Sequence, residues 1–539
     1  MSGQLYNLIM ASVPGFYSGD QGEFNIPLSR FLEYTEDPVR GQFQTLDHDA
    51  INKLKSLPTI FAVEDEVADA RIGKITDIKV NSNNLRAKYI FDKDHYPLTR
   101  GILKEHQQKL GIDDFEFHRG HWAVKECDIS DFYEGYLKSL TGIAHKLKNT
   151  NKKVQLIYAF NGTGKTRLSR ALKDIIAPKS EDESAGPSSK KFLYYNAHTE
   201  DLFYWDNDLE FDTEPKLKIQ PNSFTYWVMT FLKDQGQDQN IAANFQRYSN
   251  SKIIPLFNEE YKYKKNDPNG KEVEIKVPAF SEVTFSKLKT QLQEMTTTLG
   301  ERVAHIKISK GEESNFIWSV FYTLLNQVVD ILNIVDPEER ETDQFNELKY
   351  VFIDDPVSSL DENHLIELAV NVAKLIKDAP DHLKFIITTH SPFFYNVLYS
   401  QLGINSGYIL SRFNEDEYDL EEKKGGSNKA FSYHLHIKGL IEKAIKENTA
   451  QRYHFTLLRN LYEKTGAFLG YKDWADLLDT VEGNKKSYIA LMNSLSHSKL
   501  SNEEITEITP PQQQTVKLLL DNLDQYGSWY KEDENAATN

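Results

Sequence analysis

The sequence predicts a parallel α/β domain between a β-rich N-terminal module and an all-α C-terminal domain. Short apolar runs separated by helical segments predict the α/β domain, residues 126–430. Alternation of apolar and polar residues predicts strands in the module of residues 1–125. Apolar residues at helical spacing dominate residues 431–530, and the polar tail, residues 531–539, is expected to be disordered.

The composition restricts the class of protein. Lys and Arg number 63 against 80 Asp and Glu, so with a formal net charge of −17 any nucleic-acid site must be a local basic patch. The single cysteine, Cys127, excludes a disulfide framework and a cysteine zinc site within the chain. The N-terminus does not have the pattern of a signal peptide, and no apolar stretch is long enough to span a membrane. A soluble, cytoplasmic protein is therefore expected.

Three segments outside the chemical motifs also carry structural patterns. Ala70–Val80 and Leu85–Phe91 alternate apolar and polar residues and are predicted to be strands of the N-terminal module. Tyr261–Glu272 contains Pro, Asn and Gly between charged residues and predicts an exposed hairpin. The charged residues of the N-terminal module are scattered and form no catalytic pattern, so the sequence assigns this module no role.

The first chemical motif is the sequence AFNGTGKT, residues Ala159–Thr166. It follows the apolar run Val154–Phe160, predicted to be a buried strand, and opens a helical segment. Backbone N–H groups of such a loop wrap phosphate oxygens, its lysine reaches the β- and γ-phosphates, and its threonine binds Mg²⁺. Ala159 stands where the motif usually has glycine. The predicted nucleotide-binding residues of this loop are Asn161, Gly162, Thr163, Gly164, Lys165 and Thr166.

Two later apolar runs also end in polar residues. In the sequence VFIDDPVSSLD, residues Val351–Asp361, the strand predicted at Lys349–Asp354 ends in a carboxylate, so Asp354 is expected to hold Mg²⁺ through water. The run Lys384–Thr389 is predicted to be the next strand and leads directly to His390. A histidine at a strand end is by itself more often structural.

Together these motifs resemble the ATPase heads of ABC proteins. The resemblance implies that Asp355 takes the place of the glutamate that activates water, although aspartate is shorter. It implies that His390 contacts the γ-phosphate. It also implies that Ser358–Asp361 form the D-loop, which crosses the dimer interface and adds Asp361 to the nucleotide site.

The segment ISKGEES, Ile308–Ser314, resembles the ABC signature. Ser309 and Gly311 are expected to precede a helix whose N-terminus faces a phosphate. In ABC proteins the signature of one subunit closes on the nucleotide of another. The resemblance therefore implies a homodimer or higher homo-oligomer formed through the heads, with ATP or GTP and Mg²⁺ as cofactors.

The helical C-terminal domain carries two pairs of polar residues at a spacing of four. Arg459 and Glu463 share one helix face, and Asn493 and His497 share a face of a later helix. Taken alone, the first pair is more simply an ordinary salt bridge, and the histidine a surface residue.

An ABC-type head without long coiled-coil arms, followed by these two pairs, resembles the bacterial anticodon nucleases of the PrrC type. The resemblance covers about residues 127–530 and leaves the N-terminal module without a counterpart. It implies a HEPN-like ribonuclease domain and a nucleotide-gated tRNA endoribonuclease of anti-phage defence. Its substrate is the tRNA anticodon loop, and a further protein partner from the defence system is a possible regulator.

The chemistry implied by this family needs no metal. His497 would transfer a proton to or from the RNA, with the 2′-OH as nucleophile, Arg459 would stabilise the phosphorane, and Glu463 would orient one of them. The products would be a 2′,3′-cyclic phosphate and a 5′-hydroxyl. Residues close in sequence that could contact RNA phosphates are Lys464, Lys485, Lys486 and Lys499.

Two other functions fit parts of the same pattern. The chain could be an ABC-type ATPase sensor that binds a separate effector nuclease, with its helical domain as a docking module. It could also be a DNA-repair ATPase of the SMC type, but long coiled-coil arms and a cysteine hook are missing from the sequence. Growth and tRNA integrity after expression of the chain, with and without His497→Ala, distinguish the first alternative from the nuclease.

Overall fold

The structure of the protein is a computed structural model. It describes residues 4–13, 15–17, 19–177, 191–196, 203–206, 215–220, 222–249, 253–266, 272–287, 306–356, 362–414, 416–424, 433–496 and 508–527. The predicted D-loop with Asp361, the residues His497 and Lys499, and the tail at residues 531–539 lie outside these ranges. The chain divides into two compact units, Met1–Lys423 and Lys424–Asn539.

The first unit begins with a six-stranded mixed sheet. Its strands are β1 (Leu5–Ala11), β2 (Gln21–Pro27), β3 (Thr59–Val63), β4 (Arg71–Val80), β5 (Asn84–Phe91) and β6 (His121–Glu126). Its helices are α1 (Asp37–Arg40), α2 (His48–Ser56), α3 (Ile102–Glu105) and α4 (Gln107–Leu110). The strand order is β2-β5-β4-β3-β1-β6, with only β1 and β3 parallel among these neighbours.

Both faces of this N-terminal sheet are buried. Leu8 and Met10 of β1 enter one hydrophobic cluster, while Ile9 between them enters a second cluster on the opposite face. A strand covered on both faces has a continuous apolar run instead of alternation, which is why β1 does not show a period of two. The two strands that the alternation predicted are confirmed as β4 and β5.

A four-stranded insertion follows the first strands of the central domain. The elements up to its end are α5 (Ile129–Leu137), α6 (Leu140–Asn149), β7 (Val154–Tyr158), α7 (Lys165–Ile176), β8 (Phe192–Asn196), β9 (Phe203–Asp206), β10 (Lys216–Ile219), α8 (Ser223–Asp234), α9 (Asp238–Ser249), β11 (Ile253–Phe257), β12 (Tyr261–Asn266), β13 (Glu272–Val277) and β14 (Glu282–Lys287). An antiparallel sheet is formed in the order β11-β14-β10-β9. The predicted hairpin is confirmed as the antiparallel pair β12 and β13.

The central sheet explains the apolar runs of the α/β domain. The remaining elements of the first unit are α10 (Lys310–Asn333), β15 (Tyr350–Asp354), α11 (Glu362–Asp378), β16 (Lys384–Thr389), α12 (Pro392–Leu402), β17 (Ser406–Arg412) and β18 (Tyr418–Lys424). The strand order is β18-β17-β7-β16-β15-β8, and β17, β7, β16, β15 and β8 pair in parallel. This confirms the predicted parallel α/β sheet. Because parallel strands end at one edge, the residues that follow β7, β15 and β16 lie close together.

From Tyr433 onward, the described elements of the second unit are all helices. Its α-helices are α13 (Tyr433–Lys446), α14 (Arg452–Leu469), α15 (Lys485–Ser496) and α16 (Pro510–Asp524). The segment Trp474–Thr480, expected from its pattern to be helical, is a 3-10 helix. A core that includes Phe455, Leu458 and Tyr462 of α14 holds the helices together. Among the described residues of the whole chain, no helix is long and apolar enough to cross a membrane.

Candidate functional site

The phosphate-binding loop has the backbone geometry that its glycines allow. Gly162 and Gly164 have φ values of 79° and 105°, in the left-handed region that residues with a Cβ rarely adopt. A Cβ on Gly164 would also lie 3.3 Å from the Tyr418 ring. Ala159 is fully buried at the end of β7, before the turn, so a methyl group fits there. The loop ends at Lys165, where α7 begins with its N–H groups available for phosphate.

The loop lysine is held inside the site. Lys165 is 8% exposed, and its Nζ donates to Asn161 Oδ1 at 3.1 Å and to the carbonyl oxygens of Ala159 and Phe160, each at 3.4 Å. The Nζ also lies 3.4 Å from Asp355 Oδ2. The charge that would face the β- and γ-phosphates is therefore paired with a carboxylate of the same site.

The residues predicted to bind Mg²⁺ are brought together. Thr166 Oγ1 donates to Asp354 Oδ2 at 2.7 Å, and Asp354 is 2% exposed. Thr388 Oγ1 donates to Asp354 Oδ1 at 2.6 Å, and Tyr194 OH donates to Oδ2 at 3.3 Å. A hydroxyl and an oriented carboxylate are oxygen ligands of the kind that Mg²⁺ uses together with water and substrate phosphates. The two side chains fit the ion as direct or water-mediated ligands.

Asp355 and His390 form a close pair beside the lysine. Asp355 has a φ of 52°, an unusual backbone conformation for aspartate, and its Oδ2 lies 2.5 Å from His390 Nδ1. The backbone N–H of His390 donates to Asp355 Oδ1 at 3.3 Å. Burial alone raises the pKa of this carboxyl, but the hydrogen bond and charge of His390, with the charge of Lys165, outweigh burial and lower it. Asp355 is therefore an anion at neutral pH, directed toward the Lys165 ammonium group and the His390 imidazole.

The signature segment differs from the expected geometry at one residue. Ser309 is the N-cap of α10 and forms a capping box with Glu312, whose side chain accepts from Ser309 N at 2.8 Å. Because this box starts the helix at Lys310, Gly311 lies in its first turn and not before the helix, which corrects the prediction. Glu313, which directly follows the capping residue Glu312, is 2% exposed and accepts from Trp205 Nε1 at 2.8 Å. The signature is thus tied to β9 of the insertion.

In the second unit, Arg459 is held by three side chains. Its Nε donates to Glu463 Oε1 at 2.8 Å, as the four-residue spacing predicted. Its Nη1 donates to Asn493 Oδ1 of α15, also at 2.8 Å. Its Cζ lies 5.4 Å from the centre of the Trp474 ring. The Arg459 side chain remains 19% exposed and that of Glu463 43% exposed, so the oriented guanidinium is reachable from solvent.

Other residues predicted for this site have different outcomes. His497 lies outside the described residues, four positions after Asn493 in sequence. Lys485, one of the lysines named for contact with RNA phosphates, forms salt bridges with Asp479 at 2.6 Å and Asp476 at 3.8 Å. An RNA phosphate would have to replace these carboxylates, and the phosphate contact stays a prediction.

Three contributors to these sites were missed in the sequence. Thr388 lies near the end of β16, two residues before His390. This position at the end of a strand could have indicated that its hydroxyl reaches the site. Tyr194 comes from β8 and Trp474 from a 3-10 helix, and neither belongs to a recognisable motif. Only the tertiary structure brings these aromatic residues to Asp354 and Arg459.

Comparisons with known proteins give one close relative. The chain is 57% identical over 392 residues to an anticodon nuclease of Escherichia coli, a match that covers 71% of this chain and 91% of the relative. No protein-family model matches the chain.

Two matching solved structures are distant in sequence. A crystal structure of an SMC head bound to the C-terminal winged-helix domain of ScpA is 11% identical, has a TM-score of 0.23, and covers 51% of this chain and 91% of the other. The SMC head domain from Thermotoga maritima is 12% identical, has a TM-score of 0.20, and covers 50% and 90% of the two chains. Scores this low carry no argument about the fold. The sequence match does carry one about ancestry, because more than half of the aligned residues are identical over nearly the whole relative: this protein belongs to the anticodon nuclease family.

Proposed function

We propose that this protein is a nucleotide-gated tRNA endoribonuclease that cuts the anticodon loop in anti-phage defence. The observation that carries the proposal is the arrangement of Arg459 between Glu463 and Asn493, with the Trp474 ring against it. Such an arrangement orients a cation before the substrate arrives, as stabilisation of a developing phosphorane charge requires. The name of the Escherichia coli relative supports the same activity.

The nuclease site would combine this arginine with His497. Asn493 contacts Arg459 from α15, and His497 follows four residues later in the sequence. A histidine can accept or donate a proton near neutral pH, and Glu463 fixes the guanidinium through Nε. This set of groups supports a HEPN-like, metal-independent reaction with the RNA 2′-OH as nucleophile and a 2′,3′-cyclic phosphate as product.

The charge distribution favours the second unit as the RNA-binding part. Residues 424–539 contain 14 Lys and Arg against 15 Asp and Glu, whereas the whole chain has a net charge of −17. Nearly all the excess acid therefore lies in the first unit. A nearly neutral domain repels the RNA backbone less than the rest of the molecule does.

The first unit would act as an ABC-type ATPase head that controls the nuclease. Lys165 and the helix N-terminus would hold the phosphates of ATP or GTP. Thr166 and Asp354 would hold Mg²⁺, which when bound neutralises phosphate charge. Asp355 would deprotonate the attacking water, and His390 would contact the γ-phosphate. The signature and D-loop would complete this site in a homodimer or higher oligomer, since in ABC heads the signature serves the nucleotide of another subunit.

Cleavage of a tRNA with a defined anticodon loop tests this proposal. Wild-type protein with Mg²⁺ and ATP or GTP should cut in the loop, where an unpaired nucleotide lets the 2′-OH align with the scissile phosphate. Arg459→Ala and His497→Ala should lower the rate by roughly a hundredfold or more, since each removes a group that acts in the transition state. Both variants should hydrolyse nucleotide as the wild type does.

Arg452→Ala is a matched control, because Arg452 lies on the same helix but donates to the Ser494 and Leu495 carbonyl oxygens. Products ending in 3′-hydroxyl and 5′-phosphate, or an Arg459→Ala variant that cuts at the wild-type rate, would contradict the nuclease assignment. The chain would then be the ATPase sensor of a separate effector.

A further inference from the structure

The phosphate-binding loop lies between two groups of strands with different chemistry. Asp354, which ends β15, and His390, which follows β16, would face Mg²⁺ and the γ-phosphate, and both strands lie on one side of β7. The strands β17 and β18 lie on the other side of β7. A triphosphate whose γ end is fixed beside Asp354 therefore directs its α-phosphate and nucleoside toward β17 and β18.

Arg167 extends in that direction. It is the first residue after the phosphate-loop motif, and its Nη1 donates to Tyr418 OH at 2.9 Å. Its Nη2 lies 3.8 Å from Asp416 Oδ1, and the side chain is 56% exposed. The Tyr418 ring is close enough to Gly164 for a Cβ there to lie 3.3 Å away. The guanidinium of Arg167 is thus anchored beside the loop while still reachable from solvent.

A second arginine approaches the same tyrosine. Arg412 ends β17, and its Cζ lies 5.9 Å from the centre of the Tyr418 ring, against 6.0 Å for Arg167. Tyr418 itself is 1% exposed, so it supports the two guanidinium groups and offers no surface for stacking. Two positive groups beside a phosphate loop are notable in a unit that carries most of the excess acid of the chain.

The chemistry of these side chains suits a nucleoside. A guanidinium plane stacks on a nucleobase and also donates to phosphate oxygens, whereas an ammonium group only supplies a point charge. Asp416, whose side chain is 91% exposed, can accept from an N–H of a base. A phosphate-only site would have no use for a carboxylate at this position, because it would repel the ligand.

We propose that Arg167, Arg412 and Asp416 form the nucleoside subsite of the head. Arg412 contacts the base of a nucleoside triphosphate, Arg167 faces its α-phosphate, and Asp416 accepts a hydrogen bond from the base. This assignment rests on the proposed nucleotide-binding function of the head and specifies which element recognises the part of the ligand beyond the β-phosphate. The turn between β17 and β18 thereby becomes a determinant of which nucleotide the protein accepts.

Binding of two ligands to the full-length protein in the presence of Mg²⁺ tests the assignment. Affinity for ATP and for inorganic triphosphate should be measured by calorimetry for the wild type and for Arg412→Ala. Loss of a stacking contact should weaken ATP by roughly tenfold, while the affinity for triphosphate, which has no base, should change less than about twofold. Arg170→Ala is the matched control, because Arg170 is an exposed arginine one turn further along α7, and both affinities should stay at wild-type values.

Each other outcome is decisive. Equal weakening of ATP and triphosphate by Arg412→Ala would assign this arginine to phosphate and overturn the nucleoside subsite, and so would wild-type affinity for both ligands. Lys165→Ala should lose both ligands, which shows that triphosphate occupies the loop. A wild-type protein that binds neither ligand would overturn the nucleotide function of the head itself, and the subsite with it. Triphosphate binding by Arg412→Ala also demonstrates that this variant is folded.

Discussion

At the scale of single residues, Asp355 contacts two side chains of the candidate nucleotide site. Its carboxylate accepts from His390 and lies near Lys165, and its positive φ of 52° directs it there. A non-glycine residue in this region of φ and ψ costs of order 1 kcal/mol or more, and such strain persists where the surrounding structure enforces it. The backbone hydrogen bond from Asp355 N to Thr388 O, at 2.9 Å, is one element of that enforcement.

Asp355→Asn separates the catalytic role of this carboxylate from binding. The amide fills the same space but cannot accept a proton or balance the charge of Lys165. Hydrolysis should slow by roughly a hundredfold or more. Nucleotide affinity should be retained or rise, since Lys165 loses an anionic competitor. Steady-state turnover and equilibrium binding measure the two effects. Wild-type turnover in this variant would assign the proton acceptor to another residue.

At the scale of secondary-structure elements, the helix α14 and the 3-10 helix pack with their backbones in close approach. A Cβ on Gly466 of α14 would lie 3.3 Å from the Trp474 Cα and 3.6 Å from the Leu477 Cδ1. Glycine in a helix interior costs about 1 kcal/mol relative to alanine, so this helix loses stability in exchange for the contact. The close approach is what places the Trp474 ring against Arg459.

Substitution of two helical glycines tests that explanation. Gly439→Ala in α13 should raise the free energy of unfolding of the second unit by about 1 kcal/mol, because nothing lies within 4 Å of the new Cβ. Gly466→Ala should show no such gain and should reduce RNA cleavage, because it displaces Trp474 from Arg459. Chemical denaturation and cleavage rates provide the two measurements. Equal stabilisation by both substitutions would mean that the 3-10 helix moves away from the new Cβ with no loss of free energy of unfolding.

The elements that sequence could predict are those with a local signal. The strands β7, β15 and β16, the phosphate loop and the pairing of Arg459 with Glu463 follow from apolar runs, glycine positions and a spacing of four. The contacts of Tyr194 with Asp354 and of Trp474 with Arg459 connect residues far apart in the chain, and no local pattern encodes them. Gly311 lies inside α10 because the capping box of Ser309 and Glu312 starts the helix at Lys310. The signature motif occupies the same residues, and its pattern predicted that Gly311 would precede the helix.

At the scale of the whole molecule, the N-terminal sheet and the central domain share one compact unit. His145 of α6 connects them, because its Nε2 lies 3.0 Å from Thr99 Oγ1 of the N-terminal region. This histidine is 2% exposed. Burial lowers its pKa from 6.5 to about 4, despite the opposing charge of Asp69. The folded unit therefore keeps His145 neutral at a pH where the unfolded chain would protonate it.

The stability of the first unit should consequently fall as the pH falls from about 6.5 to about 4. In that window the unfolded state binds a proton that the folded state does not, and below about 4 both states bind it. The lowered pKa corresponds to a loss of roughly 3 kcal/mol at most. His145→Gln keeps a polar partner for Thr99 but does not titrate, so its unfolding free energy should depend less steeply on pH. Parallel slopes for the wild type and the variant would contradict this account.

The contact between Lys165 and Asp355 has a consequence for how the head responds to its ligand. The Asp355 carboxylate lies 3.4 Å from the Lys165 Nζ and would compete with a phosphate oxygen for this ammonium group. A bound triphosphate would replace Asp355 as the partner of Lys165. Its affinity would therefore depend on how much stronger the pairing of lysine with phosphate is than the pairing of lysine with Asp355. Under the proposed function, the same exchange would free Asp355 to act on water. Binding of the triphosphate and release of this carboxylate from Lys165 would then be a single event.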